Sequence, residues 1–383
     1  MPTDIRSLLR EMVARGASDL YVTVDSPPVL RVEGFNQVLP GDPLTSTEVE
    51  ALANSLMTER QRAAFEDAME MNVGISSSQL GRFRVNVFRQ RGAVGVVVRQ
   101  IKTTIPTIDE LGLPPPLKDV VLSKRGLVLV TGATGSGKST TLAAMIDWRN
   151  ANTAGHIVTV EDPIEFMHPH RSCLVTQREI GFDTQSYANA LKNALRQAPD
   201  VILIGEVRDR ETMEAAITFA DTGHLCLATL HSNNANQAIE RIMNFFPLER
   251  HQEIFLQLSL NLRAIISQRL IPGLNGRRVA ALEILIDTPY VKDLIKKGEV
   301  DTIKEAMERS TQEGGQTFDQ ALFQLYRDGR IDTEQALANA DSANNLRIQI
   351  KNLDLRQADR KTLDDVGSLR LQGVSNDQLF KRI

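Results

Sequence analysis

The pattern of apolar and polar positions changes character twice along the chain. Over residues 5–15, Leu8, Leu9, Met12 and Val13 fall on one helical face, and residues 18–24 then alternate as a strand does. Pro27 and Pro28 break that run before a second strand at 29–34. Two helices are expected at 47–57 and 59–69, followed by three strands at 72–78, 81–92 and 93–101. Together these elements predict a small α+β domain over residues 1–102.

From 103 to 118 the texture becomes TTIPTIDELGLPPPLK, with four prolines and no sustained period, the composition of a linker. Beyond it, short apolar runs at 127–131, 156–160, 201–205 and 225–230 alternate with helical patterns at 139–150, 185–197 and 210–221. That alternation predicts an α/β domain built on a doubly wound parallel sheet, over residues 119–340. After residue 236 the pattern is mostly helical, apart from one more apolar strand at 279–286. Residues 341–383 mix charges and spaced leucines without a period of 2 or 3.6, so a flexible C-terminal extension is expected there.

Composition narrows the class. A chain of 383 residues with 42% apolar content can fill two cores. A net charge of −4 supplies no global basic surface, so no nucleic-acid partner is expected. Cys173 and Cys226 each sit in an apolar stretch away from any CxxC or His-Cys grouping, which reads as two buried, reduced thiols in a cytoplasmic protein. The first sixteen residues carry charges and no apolar core of a secretory signal, and no segment approaches 18 uncharged apolar residues, so any membrane association is expected to go through a partner.

The chemistry centres on GATGSGKST: Gly132, Ala133, Thr134, Gly135, Ser136, Gly137, Lys138, Ser139 and Thr140. An apolar strand precedes this stretch and a helix follows it, which is the setting of a P-loop that binds ATP. The glycines let successive backbone N–H groups and a helix N-terminus converge on phosphate. Lys138 is expected against the β- and γ-phosphates, and the Ser139 hydroxyl on Mg²⁺.

Hydrolysis also requires a carboxylate near the metal and a group that positions water. The stretch VILIGEVRD leaves its strand at Glu206, a Walker B-type position expected at the carboxyl edge of the sheet. A second strand runs out into Glu161, Asp162 and Glu165, of which at least one is expected to face the same edge; Glu165 is taken as the base. His231 follows a third strand and His224 precedes it, and both are candidate γ-phosphate sensors. Arg84 and Arg99 lie on strands of the first domain and could complete the site from another domain or subunit. His168 and His170 lack a third ligand nearby in sequence, so no metal is expected there.

With these motifs in place, the chain resembles the secretion ATPase superfamily, and within it the type IV pilus retraction branch, the PilT/PilU family. GATGSGKST, EDPIEF, LIGEVRD and TGHLCLATLHS are similar to that family's Walker A, Asp box, Walker B and His box, in order and at matching spacing. The resemblance runs from about residue 3 to about residue 340 and implies a PAS-like N-terminal domain followed by a RecA-like P-loop NTPase domain. It further implies a homo-oligomeric, hexameric, Mg²⁺-dependent ATPase in the cytoplasm, peripheral at the inner membrane through the pilus platform protein. It assigns Mg²⁺ and water positioning to Glu206, the general base to Glu165, γ-phosphate contact to His231 and cross-domain contacts to Arg84 and Arg99.

The tetracysteine motif and long extra N-terminal domain of extension motors are missing, so the resemblance is to retraction. Where PilT-type proteins carry an AIRNLIRE-like motif, this chain has YVKDLIKKGE at 290–299. With the tail, this resembles the PilU type and implies an accessory retraction motor beside a PilT-type partner. Two rivals stand against this reading: a regulatory subunit that binds ATP with little turnover of its own, and a RecA-like nucleic-acid translocase. The second would need stacking aromatics, and aromatic residues make up only 5% of the chain.

Overall fold

The computed structural model describes residues 4–368 except 33 and 78, and only the backbone of 357–368. Contacts gather the described residues into two compact units: one runs up to Thr107 and resumes over Ala143–Gly205, and the other takes Ile108–Leu142 and everything from Glu206 onward.

The chain opens with α1 (Ile5–Ala14), β1 (Asp19–Val22), β2 (Val29–Val32), β3 (Phe35–Val38), α2 (Ser46–Leu56), α3 (Glu59–Ala68), β4 (Glu70–Ser77), β5 (Gly81–Gln90) and β6 (Ala93–Ile101). The strands form an antiparallel sheet in the order β3-β2-β1-β6-β5-β4. Period-two patterning builds its core: Phe83, Val85 and Val87 of β5 and Val94, Val96 and Val98 of β6 point inward, under Leu8, Leu9 and Met12 of α1. Capping boxes at Thr45/Glu48 and Thr58/Gln61 start α2 and α3, satisfying backbone donors that would otherwise be orphaned. The exposed strand β3 was not legible in the sequence because all four of its residues face solvent and no alternation marks it.

The remainder comprises α4 (Pro116–Val121), β7 (Gly126–Thr131), α5 (Lys138–Asn152), β8 (Gly155–Glu161), β9 (Cys173–Glu179), α6 (Tyr187–Ala194), β10 (Val201–Ile204), α7 (Arg210–Asp221), β11 (Leu225–Leu230), α8 (Ala235–Asn244), α9 (His251–Asn261), β12 (Leu262–Pro272), β13 (Arg278–Ile286), α10 (Pro289–Lys297), α11 (Ile303–Arg309), α12 (Phe318–Arg327), α13 (Thr333–Ala338) and α14 (Ala343–Ser368). In the first unit β8 lies between β10 and β9, parallel to both. In the second the order is β13-β12-β7-β11, with β7 parallel to β11 and β12 and only the β12/β13 hairpin antiparallel. The α/β class therefore holds, but the sheet is not wholly parallel.

Three expectations need correction. Residues 262–272 are a strand rather than part of a helical region: the run LRAIISQRLIP is apolar without a diagnostic period, and pairing on both sides with β7 and β13 decides its state. The proline-rich segment is not a bare linker, because Ile108, Leu113 and Leu117 are buried and α4 starts within it. The extension expected to be flexible is helical over α14, whose Leu346 and Ile350 are buried against Phe318, Leu322 and Ile331. Packing on one face stabilises that helix, which a composition-based reading could not register. Residues 369–383 lie outside the described residues.

Candidate active site

In the second unit β7 is buried at all six positions and delivers the chain into the glycine loop. Gly132, Gly135 and Gly137 have φ of +148°, +76° and +92°, a region that L side chains rarely adopt. At Gly132 a Cβ would lie 2.5 Å from Ser136 Oγ and 2.6 Å from the Gln268 carbonyl; at Gly137 it would lie 2.7 Å from Gln268 Nε2. Around Gly135 the space is open.

The sequence did not point to Gln268. Strand β12 continues beyond the end of β7, since Ser267 pairs with Thr131, so its next residue lies beside the loop rather than beside the strand. Gln268 is buried there, and its Oε1 accepts a hydrogen bond from Thr141 Oγ1 at 2.7 Å. Its role depends on 262–272 being a strand, which the apolar run does not reveal by its period.

Lys138 opens α5 and bends back over the loop, donating to the carbonyls of Gly132 at 2.8 Å and Ala133 at 3.0 Å. Burial lowers its pKa below that of an ordinary lysine, and the Glu206 carboxylate opposes the shift. Ala133, Thr134, Gly135 and Ser139 are exposed, and Thr140 is half-buried. Ser136 Oγ is buried and has no hydrogen-bond partner among the described residues. A strand-loop-helix cradle closed to side chains at two glycines, with an ammonium over it and an unsatisfied buried hydroxyl, fits a nucleotide phosphate.

Glu206 leaves β10 and is held by two neighbours. Arg208 Nη2 approaches its Oε2 at 2.6 Å, and His231 Nε2 lies 3.0 Å from its Oε1. His231 sits just past β11, and with Gly132, Ala133 and Asn233 it lines a cleft of about 340 Å³. A second cleft of about 300 Å³ is lined by Gly132, Ala133, Thr134, Gly135 and Ser136 together with Asn233 and Gln268.

His224 is excluded from this group, a correction to the expectation that both histidines reach the site. Leu225 pairs with Gly126 at the start of β7, and Leu230 pairs with Thr131 at its end. His224 therefore sits at the sheet edge opposite the loop, roughly 17–20 Å away along the strand. Its Nδ1 faces Thr222 Oγ1 at 3.1 Å and the Phe219 carbonyl at 3.2 Å, a local tie at the end of α7.

The first unit carries the other expected residues. Glu161 ends β8 and its Oε1 accepts from Thr159 Oγ1 at 2.6 Å and Gln177 Nε2 at 3.3 Å; burial raises its pKa to about 7. Glu165 is exposed in the loop that follows, and its backbone N–H also bonds the Glu161 carboxylate. Arg84 and Arg99 face each other across β5 and β6. Two cations directly opposite would repel, and nearby carboxylates relieve this. Arg99 pairs with buried Asp19 at 2.8 Å and feels Glu165, while Arg84 faces the field of Glu179. Glu179, which no sequence motif marks, is a buried carboxylate at the end of β9 that accepts the Ile164 N–H at 3.3 Å.

Elsewhere, Cys173 and Cys226 are buried and free. Among the described residues there is no metal-binding cluster, and no helix is long and apolar enough to cross a membrane.

A glycine loop clasped between a buried strand and a helix, with an acid and a histidine paired at the neighbouring strand ends, defines a P-loop nucleotide-binding protein. Comparison with known proteins narrows the class. The family model described as "Type II/IV secretion system protein" matches residues 2–363, and the chain belongs to that family. It is 55% identical to the type IV pilus ATPase PilU of Pseudomonas aeruginosa over 349 residues, 91% of each chain. It is 43% identical to the type IV pilus retraction ATPase PilT of the same organism over 337 residues, 88% of this chain and 98% of that one. The crystal structure of the pilus retraction motor PilT with bound ADP superposes with a TM-score of 0.83 at 40% identity, covering 89% of this chain and 98% of that one.

Proposed function

We propose that this chain is an ATP-hydrolysing motor subunit that powers type IV pilus retraction. It works as a homo-hexamer at the cytoplasmic base of the pilus, bound to the inner membrane through the pilus platform protein, and as an accessory to a PilT-type motor. The observation that carries the reading is the P-loop cradle, closed to side chains at Gly132 and Gly137 and backed by Gln268. The similarity to PilU and PilT over about nine-tenths of the chain supports the same conclusion.

In this reading residues 1–102 act as the PAS-like domain, 103–118 join it to an ATPase domain over 119–340, and 341–383 form an extension. The loop amides and Lys138 hold the triphosphate. Ser139 and Glu206 would hold Mg²⁺, which when bound would supply charge neutralisation for the phosphates. Glu165 takes the proton of the attacking water, and the neighbouring Glu161 keeps the acidic segment in place. His231 orients Glu206 and reads the γ-phosphate. Arg84 and Arg99 stabilise developing charge as subunits close on one another.

One observation favours a second reading, a regulatory subunit that binds ATP but relies on its partner for force. Helix α10 carries the altered YVKDLIKK stretch, with Val291, Leu294 and Ile295 buried and Tyr290 exposed. Steady-state ATP turnover by the purified protein, set against Lys138→Ala and Glu206→Gln, separates the two. Turnover lost in both variants supports the motor. Wild-type turnover no better than theirs, with ATP still bound, overturns autonomous hydrolysis and favours the regulatory subunit.

A further inference from the structure

We propose that Glu283 is a positioning residue for hydrolysis: its buried carboxylate anchors the loop that carries His231 and ties that loop to the strand that grips the P-loop. The inference rests on the ATPase reading above and adds to it a residue outside every nucleotide-binding motif.

Glu283 lies on β13 and is 1% exposed. Its Oε1 accepts two hydrogen bonds, from the backbone N–H of Ala235 at 2.7 Å and from Ser267 Oγ at 3.1 Å. Ala235 is the first residue of α8 and fully buried, so its N–H has no access to water. The N-cap residue Asn234 is already engaged with the N–H of Gln237 at 2.8 Å. The helix start is thus held twice, once by its own cap and once by a carboxylate from a distant strand.

The segment between β11 and α8 is short. It begins at His231, bonded to Glu206, and four residues later reaches Ala235, bonded to Glu283. A loop pinned at both ends by carboxylates has little freedom, and Asn233 within it lines both clefts beside the P-loop. The second bond of Glu283 leads further. Ser267 lies opposite Glu283 in the β12/β13 register and opposite Thr131 in the β12/β7 register. The next residue is Gln268, which receives Thr141 and blocks Gly132 and Gly137 from the side. One carboxylate therefore joins the histidine loop to the strand that holds the phosphate cradle.

A buried carboxylate with no direct cation partner among the described residues is a poor choice for stability alone, because an apolar side chain of similar size carries no desolvation penalty. Burial raises the pKa of Glu283 above the usual carboxylate range, as does Asp341, while the two hydrogen bonds and Arg269 favour the ionised form.

The test uses the full-length chain with Glu283→Gln, Glu283→Ala and Ser267→Ala, measuring kcat and KM for ATP, affinity for a fluorescent ADP analogue, and amide hydrogen exchange across residues 231–240. Gln keeps an acceptor oxygen, so kcat is expected within about 3-fold of wild type. Glu283→Ala is expected to lower kcat about 10-fold or more with KM and ADP affinity within about 3-fold, and to speed exchange at the start of α8 only. Ser267→Ala, which leaves the Ala235 bond in place, is expected to lower kcat about 3-fold at unchanged ADP affinity, and it carries the test if the alanine variant at 283 does not fold.

Unchanged kcat in Glu283→Ala, or a loss of ADP affinity matching the loss of kcat with faster exchange throughout the domain, overturns the proposal. So does a Gln variant as impaired as the Ala variant. Absence of turnover in the wild type would instead overturn the ATPase reading, and the exchange measurement would then decide by itself whether Glu283 anchors the loop.

Discussion

His231 Nε2 lies 3.0 Å from Glu206 Oε1, so the histidine after β11 and the acid after β10 meet directly although 25 residues separate them in the chain. With Arg208 on the other oxygen, both carboxylate oxygens of Glu206 are oriented by neighbours. Removing the histidine leaves the acid held by Arg208 alone, without disturbing the loop that cradles phosphate. His231→Ala is therefore expected to lower ATP turnover about 10–100-fold while ADP affinity stays within about 3-fold. Equal losses in both quantities would show that His231 contributes to ground-state binding instead. His224→Ala, at the far edge of the sheet, is expected to leave turnover within about 2-fold.

The glycines of the loop are not equivalent. Gly132→Ala places a Cβ 2.6 Å from the backbone carbonyl of Gln268 and Gly137→Ala places one 2.7 Å from Gln268 Nε2, the end of a side chain held by Thr141, whereas Gly135→Ala meets only the strain of its positive φ. Nucleotide binding measured by calorimetry is expected to be lost in the first two. In Gly135→Ala it is expected to weaken by about 1–2 kcal/mol, the usual difference between glycine and an L residue in that region.

Thr141 and Gln268 form one buried hydrogen bond between α5 and β12. Thr141→Val and Gln268→Leu each leave a buried polar group unpaired, so each is expected to destabilise the protein by about 1–3 kcal/mol, and the double variant by less than their sum. Urea denaturation of the four proteins gives the coupling. Strict additivity would show that the contact does not hold in solution.

The pKa of Glu161 is raised from 4.5 to about 7, and this has a pH signature with a definite sign. Between those values the unfolded chain has released the proton that the folded chain retains. Stability contributed by this group is therefore greatest below about pH 4.5 and falls as pH rises towards 7. Glu161→Gln is expected to stabilise the protein at pH 8 by on the order of 1–3 kcal/mol relative to wild type, and to have almost no effect at pH 4. Denaturation midpoints of both proteins at the two pH values measure this, and a difference independent of pH contradicts it.

Helix α14 buries Leu346 and Ile350 and exposes Ile348 and Leu355. Leu346→Ala is expected to cost about 2–5 kcal/mol, and Ile348→Ser or Leu355→Ser less than about 0.5 kcal/mol. Equal effects at the two sets of positions would mean that the helix does not pack on α12 and α13 as described.

Much of this was legible in the sequence because the information is local. An apolar strand, three glycines at fixed offsets and a helix are contiguous, so the P-loop could be placed from Gly132 to Thr140 without any knowledge of neighbours. The alternation in β5 and β6 and the helical face of α1 were readable for the same reason. The residues that failed to register depend on pairing. Gln268 matters because β12 runs past the end of β7, and Glu283 because β13 faces the start of α8. His224 was misplaced because standing before or after a strand means opposite edges of a parallel sheet, and adjacency in sequence conceals that.

The chain by itself thus determined the class of chemistry, the loop that carries it and the acidic and histidine side chains available to it, all encoded by short-range spacing and hydrophobic period. Only the tertiary structure decided which of those side chains meet, which strand backs the loop and which part of the expected tail folds. Those outcomes follow from register between strands distant in sequence and from burial of one face of a helix against another, interactions whose energy exists only once the partners are brought together.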